Sequence, residues 1–229
     1  MMGVSHALTG VVTGVITYQV TDASIPAGVV AATIVVGASL FPDLDHSRST
    51  VSNTGGFLTR GLSWALRRAT GGHRTATHSI LGVAVTALLA QAAITYRGEV
   101  WSIAVLAVIL FLCWAAPIRL LKIRGWWDDV LPPPLAIGAA WWPGFPLELM
   151  PHALVIGMSV HIIGDMITKQ GCPLLWPVKG RTRLLTLKAG GPVERFLLRP
   201  AFVVAIPVAV CWDLVNPLWL EAMSWAARH

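Results

Sequence analysis

The stretch Val100–Ile118 reads VWSIAVLAVILFLCWAAPI, without one Asp, Glu, Lys or Arg. An apolar run of this kind has the length of a bilayer-crossing helix, about 17–25 residues. Similar apolar segments lie on both sides of it: about 3–20, 25–41, 77–96, 131–142, 150–168 and 200–214. Segment 131–142 is the shortest, begins at Pro132, Pro133 and Pro134, and fits a re-entrant or half-span element. Segment 3–20 has no basic stretch before it and no small-residue cleavage site, and so reads as a retained helix. The expected fold class is all-α: a polytopic membrane protein of about seven transmembrane or partly spanning helices.

Composition supports this reading. Hydrophobic residues make up 55% of the 229 residues and charged ones 12%, against roughly 25% charged in soluble domains. A disordered chain, a disulfide scaffold and an ordinary cytosolic enzyme are excluded. Cys113, Cys172 and Cys211 have no metal-binding spacing. With seven spans, 15 of the 17 Lys and Arg fall on one side, in loops 42–76, 119–130 and 169–199. The positive-inside rule places that side and the N-terminus in the cytoplasm. The net charge of +6 then divides into +9 inside and −3 outside. It is a topology signal, and no nucleic-acid partner is expected.

Gly55–Ala69 (GGFLTRGLSWALRRA) is too charged to span. Leu58, Leu62, Ala65 and Leu66 share one helical face, so it reads as a cytoplasmic interfacial helix. A packed loop helix is the alternative. Trp101, Trp114, Trp141, Trp142 and Trp212 fall near span ends and read as interface anchors.

Polar residues are few, and they gather at the cytoplasmic boundary. His6 is in the first segment. Asp43, Asp45 and His46 stand in FPDLDH, where Pro42 stops the second segment, and offer a metal two carboxylates and an imidazole. His73 and His78 bracket Arg74 in HRTATHS, and His161 and Asp165 stand in HIIGD. Histidine and aspartate four apart share a helical face and can hold one metal. Ionisable groups in a spanning helix mark a functional site by default. Either Asp43 or Asp45 serves as ligand or orients a ligating histidine. Thr77 or Ser79 caps the next helix or bonds a ligand. Arg74 has the planar fork that matches phosphate. His152 lies at the opposite end and reads as structural.

HRTATHS resembles the HRGxTHS signature of the YdjM-like family of bacterial inner-membrane proteins, described as metal-dependent hydrolases. His6, the PDLDH element, HIIGDMITKQGCPLLWP and RTRLLTLKAGGPVERF agree with it in order and spacing. Thr75 stands where the family has glycine. The likeness covers about residues 1–96 and 150–205. It makes the chain one membrane domain, 1–229, with 97–149 as an inserted helical hairpin. The family is grouped with the zinc-dependent phospholipase C superfamily of helical phosphodiesterases. That resemblance implies two or three zinc ions, with manganese or iron as alternatives. They would be held by His6, Asp43 or Asp45, His73 or His78, and His161 with Asp165, with Glu194 as a late ligand or a supporting group. The superfamily's HxxxE pair is missing, and Met1 is expected to lie away from the site.

The function expected is hydrolysis of phosphoesters in a lipid-like, anionic amphiphile by metal-activated water. Arg74, with Arg183, would neutralise the developing charge, Thr77 would contact substrate, and Asp43 or Asp45 would act as base. A divalent-metal transporter or sensor would use the same ligands, and a zinc-stapled structural protein is a third reading. No GxSxG or HExxH occurs, so serine hydrolases and common metalloproteases are unsupported.

Overall fold

A computed structural model describes residues 1–120 and 130–212. Lys122, Arg124, Arg228 and the last residues of the seventh apolar segment lie outside that range. The described residues form nine α-helices and no strand. They are α1 (Gly3–Val20), α2 (Ile25–Ala38), α3 (Thr50–Asn53), α4 (Gly56–Thr70), α5 (Ile80–Thr95), α6 (Val100–Leu120), α7 (Pro132–Trp141), α8 (Met150–Met166) and α9 (Arg199–Val210). Each expected apolar segment falls on one of them.

The boundaries have local causes. Ser24 Oγ accepts from the Ala27 amide and Pro26 occupies the first turn of α2. Pro42 opens a 3-10 turn, Phe41–Asp45, just past the end of α2. A second 3-10 turn, Ala76–His78, precedes α5, and Ser79 Oγ caps that helix through the Gly82 amide at 3.1 Å. These two tight turns carry FPDLDH and HRTATHS.

Helix α2 packs against α1, α6 and α8, and α8 also packs against α5. Ile34, Leu106, Leu110, Met150 and Leu154 are fully buried between them. The α2–α6 crossing is close. A Cβ on Gly37 would lie 2.1 Å from Cys113 Cα, so only glycine fits there. The chain after α8 folds back on that helix's end. Lys169 donates its amide to the Leu187 carbonyl at 3.0 Å, and Leu187 to that of Ile167 at 3.1 Å.

The outside of the bundle is apolar. Helix α5 carries no charged residue, and Ile80, Leu81, Val85, Leu88 and Leu89 on it are exposed. Such a face belongs against lipid. Among the described helices, Val100–Leu120 has both the length and the hydropathy to cross a membrane; Ile25–Ala38 and Ile80–Thr95 are apolar but shorter. In α4, small polar Thr59 and Ser63 face the protein, while Phe57 is 81% and Trp64 70% exposed. Leu58 and Leu62 also point outward. An amphipathic helix with its large apolar side chains outward suits a membrane interface.

Candidate metal centre

Four separate parts of the chain meet where α8 ends. Helix α1 supplies His6, the first 3-10 turn supplies Asp43 and Asp45, the second supplies His78, and α8 supplies His161 and Asp165. His6, Asp45, His78, His161 and Asp165 are fully buried. Gly164 permits the meeting: a Cβ there would lie 3.1 Å from the His6 ring and 2.9 Å from Met1 Sδ.

Four donor atoms face one another at one spacing. His78 Nε2 is 3.8 Å from Asp43 Oδ1 and 3.6 Å from Asp165 Oδ2. His161 Nε2 is 3.8 Å from Asp43 Oδ1 and 3.7 Å from Asp165 Oδ2. These distances are too long for hydrogen bonds. Two donors each about 2.1 Å from a tetrahedral ion would stand about 3.4 Å apart. His78 Nε2 and His161 Nε2 are buried without any hydrogen-bond partner, and Asp165 Oδ2 beside them pairs with the Arg74 guanidinium. Unpaired buried polar atoms are costly, and two imidazole nitrogens converging beside two carboxylates could hold a metal ion.

The other side of each histidine is already committed. His161 Nδ1 is 2.7 Å from the Ser39 carbonyl and donates to it, which leaves Nε2 as the free lone pair. His78 Nδ1 is 3.0 Å from Thr77 Oγ1, which donates to Asp45 Oδ2 at 2.5 Å. This chain turns His78 Nε2 towards Asp43 and Asp165.

The two aspartates differ in their surroundings. Asp45 has both oxygens occupied. His73 Nδ1 lies 2.6 Å from Oδ1, and the Arg74 amide and Thr77 hydroxyl donate to Oδ2. Asp45 organises the HRTATHS turn, and Asp43 faces the free donor atoms. Burial pushes the Asp43 carboxyl upward, but neighbouring His161 and His78 outweigh it and hold it well below the usual range. Burial likewise opposes ionisation of Asp45, and its bond to His73 together with the nearby His78 more than offsets this.

Arg74 takes a left-handed backbone, with φ of 57°. That conformation costs a non-glycine residue about 1 kcal/mol or more. It aims the Arg74 amide at Asp45 and its Nη2 at Asp165 Oδ2, 2.7 Å away. Thr75, standing at the family's glycine, has φ of −120° and needs no glycine. Arg74 is therefore engaged with Asp165 and with Thr168 Oγ1 at 3.5 Å, where the sequence reading gave it a substrate.

A second side of Asp165 is also occupied. His6 Nε2 lies 3.3 Å from Oδ1, the His6 ring stacks on His161 at 3.7 Å, and the Met1 nitrogen contacts the same oxygen. Neither His6 nitrogen has a hydrogen bond. His6, His161 and Asp165 form one possible metal group, and Asp43, His78 and His161 another. Asp45, His73 and His78 are also close enough, but the hydrogen bonds of Asp45 make that group a support.

Four expectations change. Met1 is at the site, because the Met2 amide is anchored on Glu194 Oε1 at 2.8 Å and draws the chain start inward. Glu194 is outside the donor groups. Its carboxylate accepts from Met2, Ser5 and Gly190, and these bonds hold its pKa down against burial. It pins α1 to the loop after α8 and so places His6. Arg183 is exposed in that loop, with its stem against Gly171. His46 lies beside the centre, 4.5 Å from the His73 ring, and burial with the neighbouring His73 lowers its pKa. His152 is exposed and apart. Ser39 and Thr168 were not found from sequence. Ser39 acts through its carbonyl, which carries no residue-type signal, whereas Thr168 stands in the H-x3-D-x2-T pattern.

The chain matches the family described as YdjM inner membrane protein over residues 1–225. The chain belongs to the YdjM inner membrane protein family. It is 31% identical over 173 residues to inner membrane protein YdjM of Escherichia coli K12, covering 73% of this chain and 60% of that protein. The Shigella flexneri protein of the same name matches equally. The chain thus spans about 60% of the length of these curated relatives. No solved structure matches. Membership in the YdjM family places the chain in the inner membrane, in keeping with its apolar exterior.

Proposed function

We propose that this YdjM-family chain is a membrane-bound metal-dependent hydrolase of phosphoesters. The observation that carries the proposal is the pair of buried, unpartnered imidazole nitrogens of His78 and His161, both facing the carboxylates of Asp165 and Asp43. Two imidazoles and two carboxylates suit zinc, manganese or iron. His6, on the far side of Asp165, is the added donor for a second ion. The basic loops favour about seven crossings with the centre at the cytoplasmic boundary.

A bound ion would supply an acidified water and polarise a phosphoryl oxygen. The chain's own residues do the rest. Asp43 is 21% exposed and lies on the open side of the centre. His73 is partly exposed and held by Asp45, the arrangement of a histidine that moves a proton. This takes the base role from Asp45, whose oxygens are occupied. Arg74 compensates the charge of Asp165 and keeps it fixed.

The test uses the full chain in detergent, stripped by chelator and reloaded with zinc or manganese, with bis(p-nitrophenyl) phosphate as substrate. Turnover that disappears on stripping and returns on reloading is expected. A fully loaded protein that turns over neither phosphodiesters nor phosphomonoesters would overturn the hydrolase reading. Metal flux in proteoliposomes from the same preparation would replace it with a transporter.

A further inference from the structure

Beside the centre is a cavity of about 180 Å³ lined by Gly3, Asp43, His46, Arg48, Ser49 and Thr50 among others. We propose that this cavity is the substrate mouth and that Arg48 recognises the phosphate group entering it. The proposal rests on the hydrolase reading for its purpose, but not for its test.

Three observations support it. Of the four facing donor residues, His78, His161 and Asp165 are fully buried, and Asp43 alone is partly open. Asp43 is also the one of the four that lines this cavity. A molecule approaching the ion from water therefore meets Asp43 here. Second, the cavity has room for roughly six waters at about 30 Å³ each, the scale of a phosphate group and its first hydration. Third, its lining offers an arginine placed to take an anion. Arg48 is exposed at the rim, and among the described residues its guanidinium has no hydrogen-bond or ion-pair partner. Among the described residues Asp43 is the one carboxylate lining the cavity, and it belongs to the ion. A cationic group would meet an unshared arginine, whereas a phosphate would match its fork.

Sequence reading gave substrate recognition to Arg74 and Arg183. Arg74 is turned onto Asp165, and Arg183 is in the loop after α8. Arg48 is the arginine that lines the opening.

The test is equilibrium dialysis of inorganic phosphate against the manganese-loaded full chain, with phosphorus relaxation to place the anion beside the metal. Arg48→Ala should weaken phosphate binding about fivefold, the scale of an exposed charge-assisted contact, with metal content unchanged. Arg48→Lys should retain most of the affinity. Arg60, whose Nε is bonded to Asn53 Oδ1 on the same basic surface, is the charge-matched control, and Arg60→Ala should bind phosphate like wild type. Vesicles of phosphatidylcholine with phosphatidic acid should compete if the source is a lipid headgroup. Failure to compete would support a soluble phosphate compound in the same mouth. Unchanged binding in Arg48→Ala, or an equal loss in Arg60→Ala, would overturn the proposal. Arg48-dependent binding without phosphoester turnover would overturn the hydrolase reading alone.

Discussion

Asp165→Asn is expected to remove stoichiometric metal from the purified protein, with a fall in affinity of about 100-fold or more. The magnitude follows from roughly 10–16 kcal/mol for a four-ligand zinc site, or about 3 kcal/mol per ligand. Asp165 stands to lose more than one share, since Oδ2 faces His78 and His161 while Oδ1 faces His6. The same change strips Arg74 of its counter-charge in a buried position. An uncompensated buried charge costs about 3–5 kcal/mol. Instability would then imitate loss of a ligand. The double variant Asp165→Asn with Arg74→Gln separates the two effects. It should recover thermal stability in the metal-free state and still bind no metal. Elemental analysis and a thermal melt of both variants are the measurements. A double variant that regained metal would show that Asp165 serves the fold and not the ion.

Asp45→Asn should behave differently. Asp45 donates no atom to the four facing donors; it orients His73, the Arg74 amide and, through Thr77, His78. Loss of such a supporting group lowers metal affinity by about 10–100-fold without abolishing binding. Asp43→Asn, by contrast, should approach the effect of Asp165→Asn. Zinc titration against a chelator of known affinity would rank the two. If Asp45→Asn proved the more damaging, the assignment of roles to the two aspartates would be reversed. The pH dependence has a definite sign. The folded pKa of Asp45 is depressed, so its contribution to stability is complete above the ordinary carboxylate pKa of about 3.9. It is lost as pH falls further, towards the folded value. Wild type should therefore lose stability at acid pH more steeply than Asp45→Asn.

The helices were legible because their signals are local. Gly3–Val20 is an apolar run closed by Thr21 and Asp22, and the helix has those bounds. Pro42 and Pro132 mark the turn and the helix that they begin. The residues of the centre were legible as types, because a histidine or aspartate at the end of an apolar helix is expensive. Their roles were not. Whether Asp43 or Asp45 keeps a free oxygen depends on a left-handed Arg74, which no residue type announces. His161 presents Nε2 because a carbonyl 122 positions away holds Nδ1. The resemblance left Glu194 as a ligand or a supporting group, and the backbone amides of Met2 and Gly190 make it an anchor. The side of α4 that faces the protein was also hidden. The helical face was visible in Leu58 and Leu62, but the partner on that face is outside the bundle.

X-ray absorption at the metal edge of the loaded chain tests the metal centre itself. One firmly bound ion is expected, coordinated by nitrogen and oxygen at about 2.0–2.2 Å, with the outer-shell scattering of two imidazoles and no sulfur. A protein that retains no ion after loading, or one whose spectrum shows sulfur ligands or no imidazole, would contradict it.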